Sequence, residues 1–409
     1  MQKKILFIII FFWVINCVCA QNGVPQNMSD TLFFEQENVM PKDTAKIDTK
    51  IDTIKKESFI KKVLTGNLNW NFVATPFVNF QNETNWGFGI AGAYYIKPKI
   101  EGKKTGNINF TATYTLKKQF KFNVTSITYL DKTQKWLLYS SFDFKHFPDN
   151  FYGIGNRKKN LLDKEIGYNS DNIEVKIQPQ INIKGNWLLG INTHFRWENS
   201  QADSAIFADI PTKKYGVDGF NEYFMFGFGG VVSYDSRDNL FYSAKGLFFK
   251  TTFTYYPKIV KKSYQMGKIQ VDFRHFIPIY KELIFAYQFV AEANLTNQKP
   301  FQMLSTIGGA ELLRGIRQGV WRDDAMAVLQ TELRIPIWKI FKAAVFAGVG
   351  DVYSLEKWQW ATPKIGYGVG LRVKFNKSKA NIRLDISRQN FGKNFRDSLS
   401  YYITVNEAF

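Results

Sequence analysis

Tyr401-Tyr402-Ile403-Thr404-Val405-Asn406-Glu407-Ala408-Phe409, the last nine residues of the chain, alternate in two-residue steps and stop on an aromatic ring. Tyr401, Ile403, Val405 and Phe409 share one parity, with Glu407 the charged exception; Thr404, Asn406 and Ala408 share the other. One apolar face and one polar or small face is what a half-buried strand requires. The spacing predicts a strand over 399–409, and comparable alternation recurs far upstream.

Working back from that end, the same pattern, broken by turn residues, predicts strands at 69–80, 86–97, 105–117, 119–130, 134–146, 171–183, 186–197, 222–235, 245–257, 265–277, 281–294, 324–337, 339–352, 365–376, 380–388 and 399–409. That is an even number, sixteen, as a bacterial single-chain barrel requires. Aromatic residues make up 17% of the chain, which suits a lipid-facing surface with interfacial girdles. Mean hydropathy is −0.24 and no second long apolar stretch follows the N-terminus, which excludes a helical membrane bundle. It does not exclude a barrel, whose alternating strands average out. The expected fold is all-β, a transmembrane antiparallel β-barrel over 67–409.

Several predicted strands divide into a lipid and a lumen face. Ile382, Leu384 and Ile386 alternate with Arg383 and Asp385, and Leu329, Leu333 and Ile335 with Gln330, Glu332 and Arg334. Tyr367, Val369, Leu371, Val373 and Phe375 alternate with Gly366, Gly368, Gly370, Arg372 and Lys374. An Arg on the lipid face at the midplane costs about 2–4 kcal/mol, so the charged parity points inward. The three glycines leave that inner face bare, either to bend the sheet or to admit something packed against the backbone. Connections at Lys118, Gly185 and 258–264 are short, whereas 147–170, 198–221, 295–323 and 389–398 are long. Short periplasmic turns and long outer loops are the expected asymmetry. By this count 295–323 is the sixth outer loop.

The N-terminus divides as an export signal over 1–20: Lys3 and Lys4, an apolar run from Ile5 to Val18, and a small-residue site at Cys19-Ala20. Both cysteines, Cys17 and Cys19, fall inside it, so the expected mature chain has neither disulfides nor cysteine nucleophiles. His146, His194 and His275 are scattered without ligand spacing, and no cofactor is expected. Residues 21–66 read as a short polar periplasmic leader. No His–Ser–acid grouping points to an enzyme. The chain's net charge of +19 lies almost entirely beyond the leader. Export and membrane residence account for that excess without nucleic acid. Clusters such as Arg157-Lys158-Lys159 and Lys213-Lys214 suit outer-membrane lipids and lipopolysaccharide.

Asp235-Ser236-Arg237-Asp238-Asn239 precedes Ala244-Lys245-Gly246; Leu313-Arg314-Gly315-Ile316 lies in the sixth loop. Gly350-Asp351, Gly366 to Arg372, Ile382-Arg383-Leu384-Asp385 and terminal Phe409 follow. This ordered set resembles the Omp85 superfamily, the bacterial surface antigen or BamA- and TamA-type outer-membrane barrels, with Ser236 where threonine is common. The resemblance implies that Arg314 reaches back into the lumen on an inward-folded sixth loop and that Phe409 is an assembly signal at the closing seam. A buried arginine needs anions. Glu332 is the first candidate, Asp351 the next, and Asp385 is also near; a solvated Arg314 is the bland alternative. Gly308, Gly309, Gly315 and Gly319 allow the loop to fold tightly. Asp235, Arg237 and Asp238 read equally as capping a turn that Gly246 completes.

The leader leaves no room for a periplasmic POTRA module, so the resemblance implies a POTRA-less member, working with protein partners in an outer-membrane or periplasmic complex. The expected role is outer-membrane biogenesis or polypeptide or lipid translocation in the bacterial outer membrane, with both termini periplasmic and a weak seam between first and last strands. Two alternatives stay open. One is an anion-leaning passive channel, in which Arg334, Arg372, Lys374 and Arg383 make the lumen basic. The other is a structural scaffold barrel for a surface complex.

Overall fold

A sheet whose strands are apolar on one face and polar on the other must cover its apolar face, and where lipid covers it no open edge can remain within the membrane. Closure meets both demands. The computed structural model describes residues 72–409 except 82–83, 97, 99, 101–102, 104, 205–209, 240–241, 297–298, 339, 358, 360, 375–380, 392–398 and 406. The expected export signal 1–20 and the expected leader 21–66 lie outside the described residues.

The strands are β1 (Phe72–Gln81), β2 (Asn85–Ile96), β3 (Gly106–Thr115), β4 (Phe120–Tyr129), β5 (Trp136–Gly153) and β6 (Leu161–Lys184). There follow β7 (Trp187–Ala202), a short helix α1 (Ile210–Tyr215), β8 (Glu222–Asp235), β9 (Gly246–Tyr256), β10 (Met266–Tyr280) and β11 (Leu283–Leu295). The last group is β12 (Ser305–Ile307), β13 (Trp321–Asp323), β14 (Ala325–Trp338), β15 (Phe341–Tyr353), β16 (Lys364–Lys374), β17 (Asn381–Gln389) and β18 (Leu399–Val405). Sixteen of them close into one antiparallel barrel in which β1 meets β18; β12 and β13 pair with each other inside the long connection from β11 to β14. The barrel and its strand number agree with the alternation in the sequence.

Parity sorts the faces as lipid solvation demands. Val369 and Leu329 are 56% and 44% exposed on the outer wall, whereas Arg372 and Glu332 are 1% and 0% exposed inside. At the end with the long connections, Phe151, Tyr168, Val217, Phe301 and Leu304 form one buried apolar cluster. Ile307, Leu313, Ile316, Trp321 and Val352 form another. The connections at this end thus pack on one another.

Two expectations are corrected. The stretch 147–170 is not a loop: β5 and β6 stay paired out to Gly153↔Leu161, because Phe151, Ile166 and Tyr168 find a core at that rim instead of solvent. The final strand stops at Val405, short of Phe409. Had it continued, Glu407 would share the outward parity of Tyr401 and Ile403 and place a charge in lipid, which is costly. The chain turns inward instead, and Phe409 is buried against Phe276 and Ala286.

A charge lock inside the barrel

Leu313-Arg314-Gly315 is a tight turn at the inner tip of the β11–β14 connection. Leu313 has φ 61° and Gly315 φ 102°, both left-handed, and the Ile316 N–H closes on the Leu313 carbonyl at 3.2 Å. A Cβ at Gly315 would also press on the Arg388 carbonyl oxygen, 2.8 Å away. Glycine is the residue that tolerates both conditions.

The turn aims Arg314 at two carboxylates on different strands. Its Nη2 donates to Glu332 Oε2 at 2.6 Å and its Nη1 to Asp385 Oδ2 at 2.8 Å, with the guanidinium over the Phe346 ring at 3.5 Å. Glu332 also accepts from Arg334 Nε at 2.9 Å and Arg372 Nη2 at 3.0 Å. Asp385 accepts from Arg372 Nη1 at 2.5 Å and lies 3.3 Å from Arg383 Nε. Arg383 Nε also donates to Thr404 Oγ1 and its Nη2 to the Ala310 carbonyl, both at 2.8 Å. Buried charges are tolerated when paired and hydrogen-bonded in this way.

Register makes the cluster possible. Arg372 stands directly opposite Arg383, a like-charge pair that repels unless anions intervene. Gly370, opposite Asp385, supplies the space: a Cβ there would collide with the Asp385 carboxylate and the Arg372 guanidinium. Gly366 does the same for the loop, since a Cβ would strike the Arg314 carbonyl oxygen. Of the two readings of the bare glycine face, close packing against the backbone is the one seen.

The chain's last residues grip the same cluster. Glu407 takes Arg372 Nε at 2.9 Å, and Arg334 Nη2 donates to the Phe409 carbonyl at 3.0 Å. Arg334 Nη1 donates to the Ser243 carbonyl, also at 3.0 Å. Ser243 belongs to the connection between β8 and β9, where Asp235 receives Arg237 Nε and Nη2 at 2.9 and 2.7 Å. Asp238 caps the Ala244 N–H at 2.8 Å, and Gly246 adopts φ 104°. The acidic-Arg-acidic turn is therefore joined to the lock through Ser243 and Arg334.

Asp351 does not reach Arg314. It sits beside the far rim and binds Lys364 Nζ at 2.5 Å, an ammonium that also contacts the Asn156 carbonyl and lies 4.2 Å from the centre of the Trp321 ring. The register explains this, since β15 and β16 put Gly350 opposite Lys364. Of the residues expected to make the lumen basic, Arg334, Arg372 and Arg383 point inward but are buried against acceptors, while Lys121, Lys176, Arg196, Lys250 and Lys268 line the lumen cavity. The backbone of Lys374 pairs with Asn381, and its side chain lies outside the described residues. Sequence reasoning missed Tyr402, Ser243, Phe346 and Lys364. It noted Glu407 as an exception on an apolar face and as a residue that weakens edge pairing, which was the available signal that the strand ends early.

Near the rim, burial pushes the Asp323 carboxyl up to about 6, with the neighbouring Asp324 charge adding to the effect. Asp324 itself pairs with Lys299 at 2.5 Å. Away from the lock, the lumen holds a cavity of about 820 Å³ whose lining includes Thr113, Gln178, Asn192, Lys250, Thr254 and Gln270.

Residues 103–398 match the profile described as the Omp85 superfamily domain. Among solved structures, the fold is similar to BamA from Haemophilus ducreyi lacking POTRA domains 1–3, with 11% identity, TM-score 0.54, and 82% of this chain and 70% of that one covered. It is also similar to CdiB from Acinetobacter baumannii (9%, TM-score 0.52, 82% and 59% covered) and CdiB from Escherichia coli (10%, TM-score 0.53, 83% and 63% covered). The chain spans less than two thirds of either CdiB structure, and at these identities the likeness is one of fold. No curated protein sequence matches.

Proposed function

The chain belongs to the Omp85 superfamily, and from that premise we propose that it inserts or translocates polypeptide or lipid at the bacterial outer membrane, as one component of a complex. Its termini would face the periplasm and its long connections the exterior. One observation carries this reading. Among the described residues, β1 and β18 are paired at only two positions, Phe80↔Ile403 and Gln81↔Tyr402, whereas β1 and β2 pair along the whole of β1. Each ladder hydrogen bond contributes about 0.5–1.5 kcal/mol net, so a short ladder is the easiest to part. A barrel that parts there exposes strand edges to an incoming chain and breaks the lipid boundary.

The passive-channel reading loses its stated support, because Arg334, Arg372 and Arg383 are buried and hydrogen-bonded to Glu332, Asp385, Glu407, Thr404 or backbone carbonyls. The test is a cross-seam disulfide, Phe80→Cys with Ile403→Cys, in a chain whose own cysteines are Cys17 and Cys19. A control tether joins Phe144→Cys to Ile173→Cys, which are paired across β5 and β6. In cells with the variant as sole copy, the oxidised seam tether should abolish outer-membrane assembly or transport, and reductant should restore it. The control should be silent. Full activity of the oxidised seam variant would remove the seam from the mechanism and favour a scaffold.

A further inference from the structure

The outer wall carries one stretch unlike a plain lipid-facing strand. The connection 257–265 between β9 and β10 folds back along β8. The Phe224 N–H donates to the Lys262 carbonyl at 2.9 Å, and Lys262 Nζ binds Glu222 at 2.7 Å. The Val260 N–H donates to the Ser263 hydroxyl at 3.0 Å, tightening the turn. This holds Ile259 and Val260, 60% and 48% exposed, next to outward-facing Phe224 and Phe226. Between them lies an apolar cleft of about 480 Å³, also bordered by Lys261 and Lys262. On the other side of the connection a polar cleft of about 700 Å³ is lined by Asp218, Tyr264, Gln265, Lys258 and Lys261. Lys261 borders both.

We propose that these paired clefts bind lipid A, one acyl chain in the apolar cleft and a phosphate between Lys258 and Lys261. The placement rests on the reading that the long connections face outward: 257–265 is short, which the sequence alone would make a periplasmic turn, but strand alternation sets it at the rim of the long connections, and Asp218 of the β7–β8 connection lines the same cleft. An apolar strand face needs only hydrocarbon, as at Phe253 and Ile269, which are outward and exposed on β9 and β10. Here the apolar groups sit on a connection that also bears three lysines, Lys258, Lys261 and Lys262. A ligand complementary to both must carry hydrocarbon and anionic charge together, as interfacial anchors do. The polar cleft adds a phenol, an amide and a carboxylate beside the lysines, which are partners for sugar hydroxyls. A two-chain phospholipid offers one phosphate and little for those groups, whereas a phosphorylated, acylated disaccharide uses them all.

The full chain, purified in detergent, is titrated with bisphosphorylated lipid A, monophosphoryl lipid A and phosphatidylglycerol, and adducts are counted by native mass spectrometry. One lipid A per chain is expected, bound tighter than the other two. A lysine near an anionic lipid surface contributes about 1 kcal/mol, or about fivefold in affinity, so Lys258→Gln with Lys261→Gln should weaken binding by about 25-fold. Ile259→Ser with Val260→Ser should also weaken it. Heat-dependent gel mobility reports that both variants remain folded barrels. Equal affinity for phosphatidylglycerol, no adduct, or unchanged binding in the lysine variant would overturn the site. Because binding is read on isolated protein, a silent seam tether leaves this result standing. Failure of Lys258→Cys to react with an impermeant maleimide on intact cells would overturn the outward placement, and lipid A with it.

Discussion

The β5–β6 hairpin and the β1–β18 seam are antiparallel ladders in one barrel, held by different physics. The hairpin pairs from Trp136↔Ile181 to Gly153↔Leu161, and only its rim end leans on another connection, through Phe151 and Tyr168 against Phe301. The seam has two described rungs, and its β18 side is held from within. Ser400 Oγ donates to the Gly315 carbonyl at 3.3 Å, the Gly315 N–H donates to Tyr402 Oη at 3.2 Å, and Glu407 binds Arg372. Many small backbone terms hold the hairpin, so no single change undoes it. The seam strand has seven rungs to β17 but two described ones to β1, and a few buried charges brace it from within, so removing one member strands the others. Stability that rests on so few groups can be released as a unit.

Changes to the lock test that contrast most severely. Glu332→Ala leaves Arg314, Arg334 and Arg372 without a shared anion, and breaking a buried pair from one side costs about 3–5 kcal/mol. Urea unfolding should move to lower concentration by that amount, and an alkylating probe at Ile403→Cys should react faster, while one at Phe144→Cys should not. Arg314→Ala should act in the same direction but less, because Glu332 keeps two arginines. Equal acceleration at both probes would mean that the lock stabilises the barrel generally and not its seam.

A smaller effect is expected at the rim. The Asp323 carboxyl sits at about 6 in the folded chain against an ordinary value of 3.8, so the folded state holds the proton more tightly. Its contribution is therefore fully present below about pH 4 and is lost as pH rises through about 6, by up to about 3 kcal/mol. Asp323→Asn should remove that step from the pH dependence of thermal unfolding and be the more stable form at pH 7.5. An unchanged profile would place the pH response elsewhere. Smallest of all, Asp238→Ala removes a cap on two backbone N–H groups and should cost about 1 kcal/mol in thermal unfolding without altering probe reactivity at the seam.

Period-two alternation was enough to read the barrel and the inward direction of Glu332, Arg334, Arg372, Arg383 and Asp385, because lipid enforces parity on every strand. It failed where another surface replaced lipid. Phe147 to Ser170 read as a loop since polar residues interrupt the pattern, yet Phe151 and Tyr168 meet Phe301 from a remote connection and keep the strands paired. Glu407 broke the pattern at the other end, and the break was real: the strand stops.

What the sequence by itself determined is local and repetitive: strand, face, turn, and the presence of an arginine on a glycine-bearing connection. Glu332 stood first among the partners of Arg314 from the sequence, but which second carboxylate Arg314 takes was decided only by tertiary structure. Asp351 and Asp385 are both inward acids on nearby strands, but strand stagger sets Asp351 beside Lys364 at the rim and Asp385 opposite Gly370 at mid-wall. Depth along the barrel is a property of closure and register, summed over all sixteen strands, and no single segment encodes it.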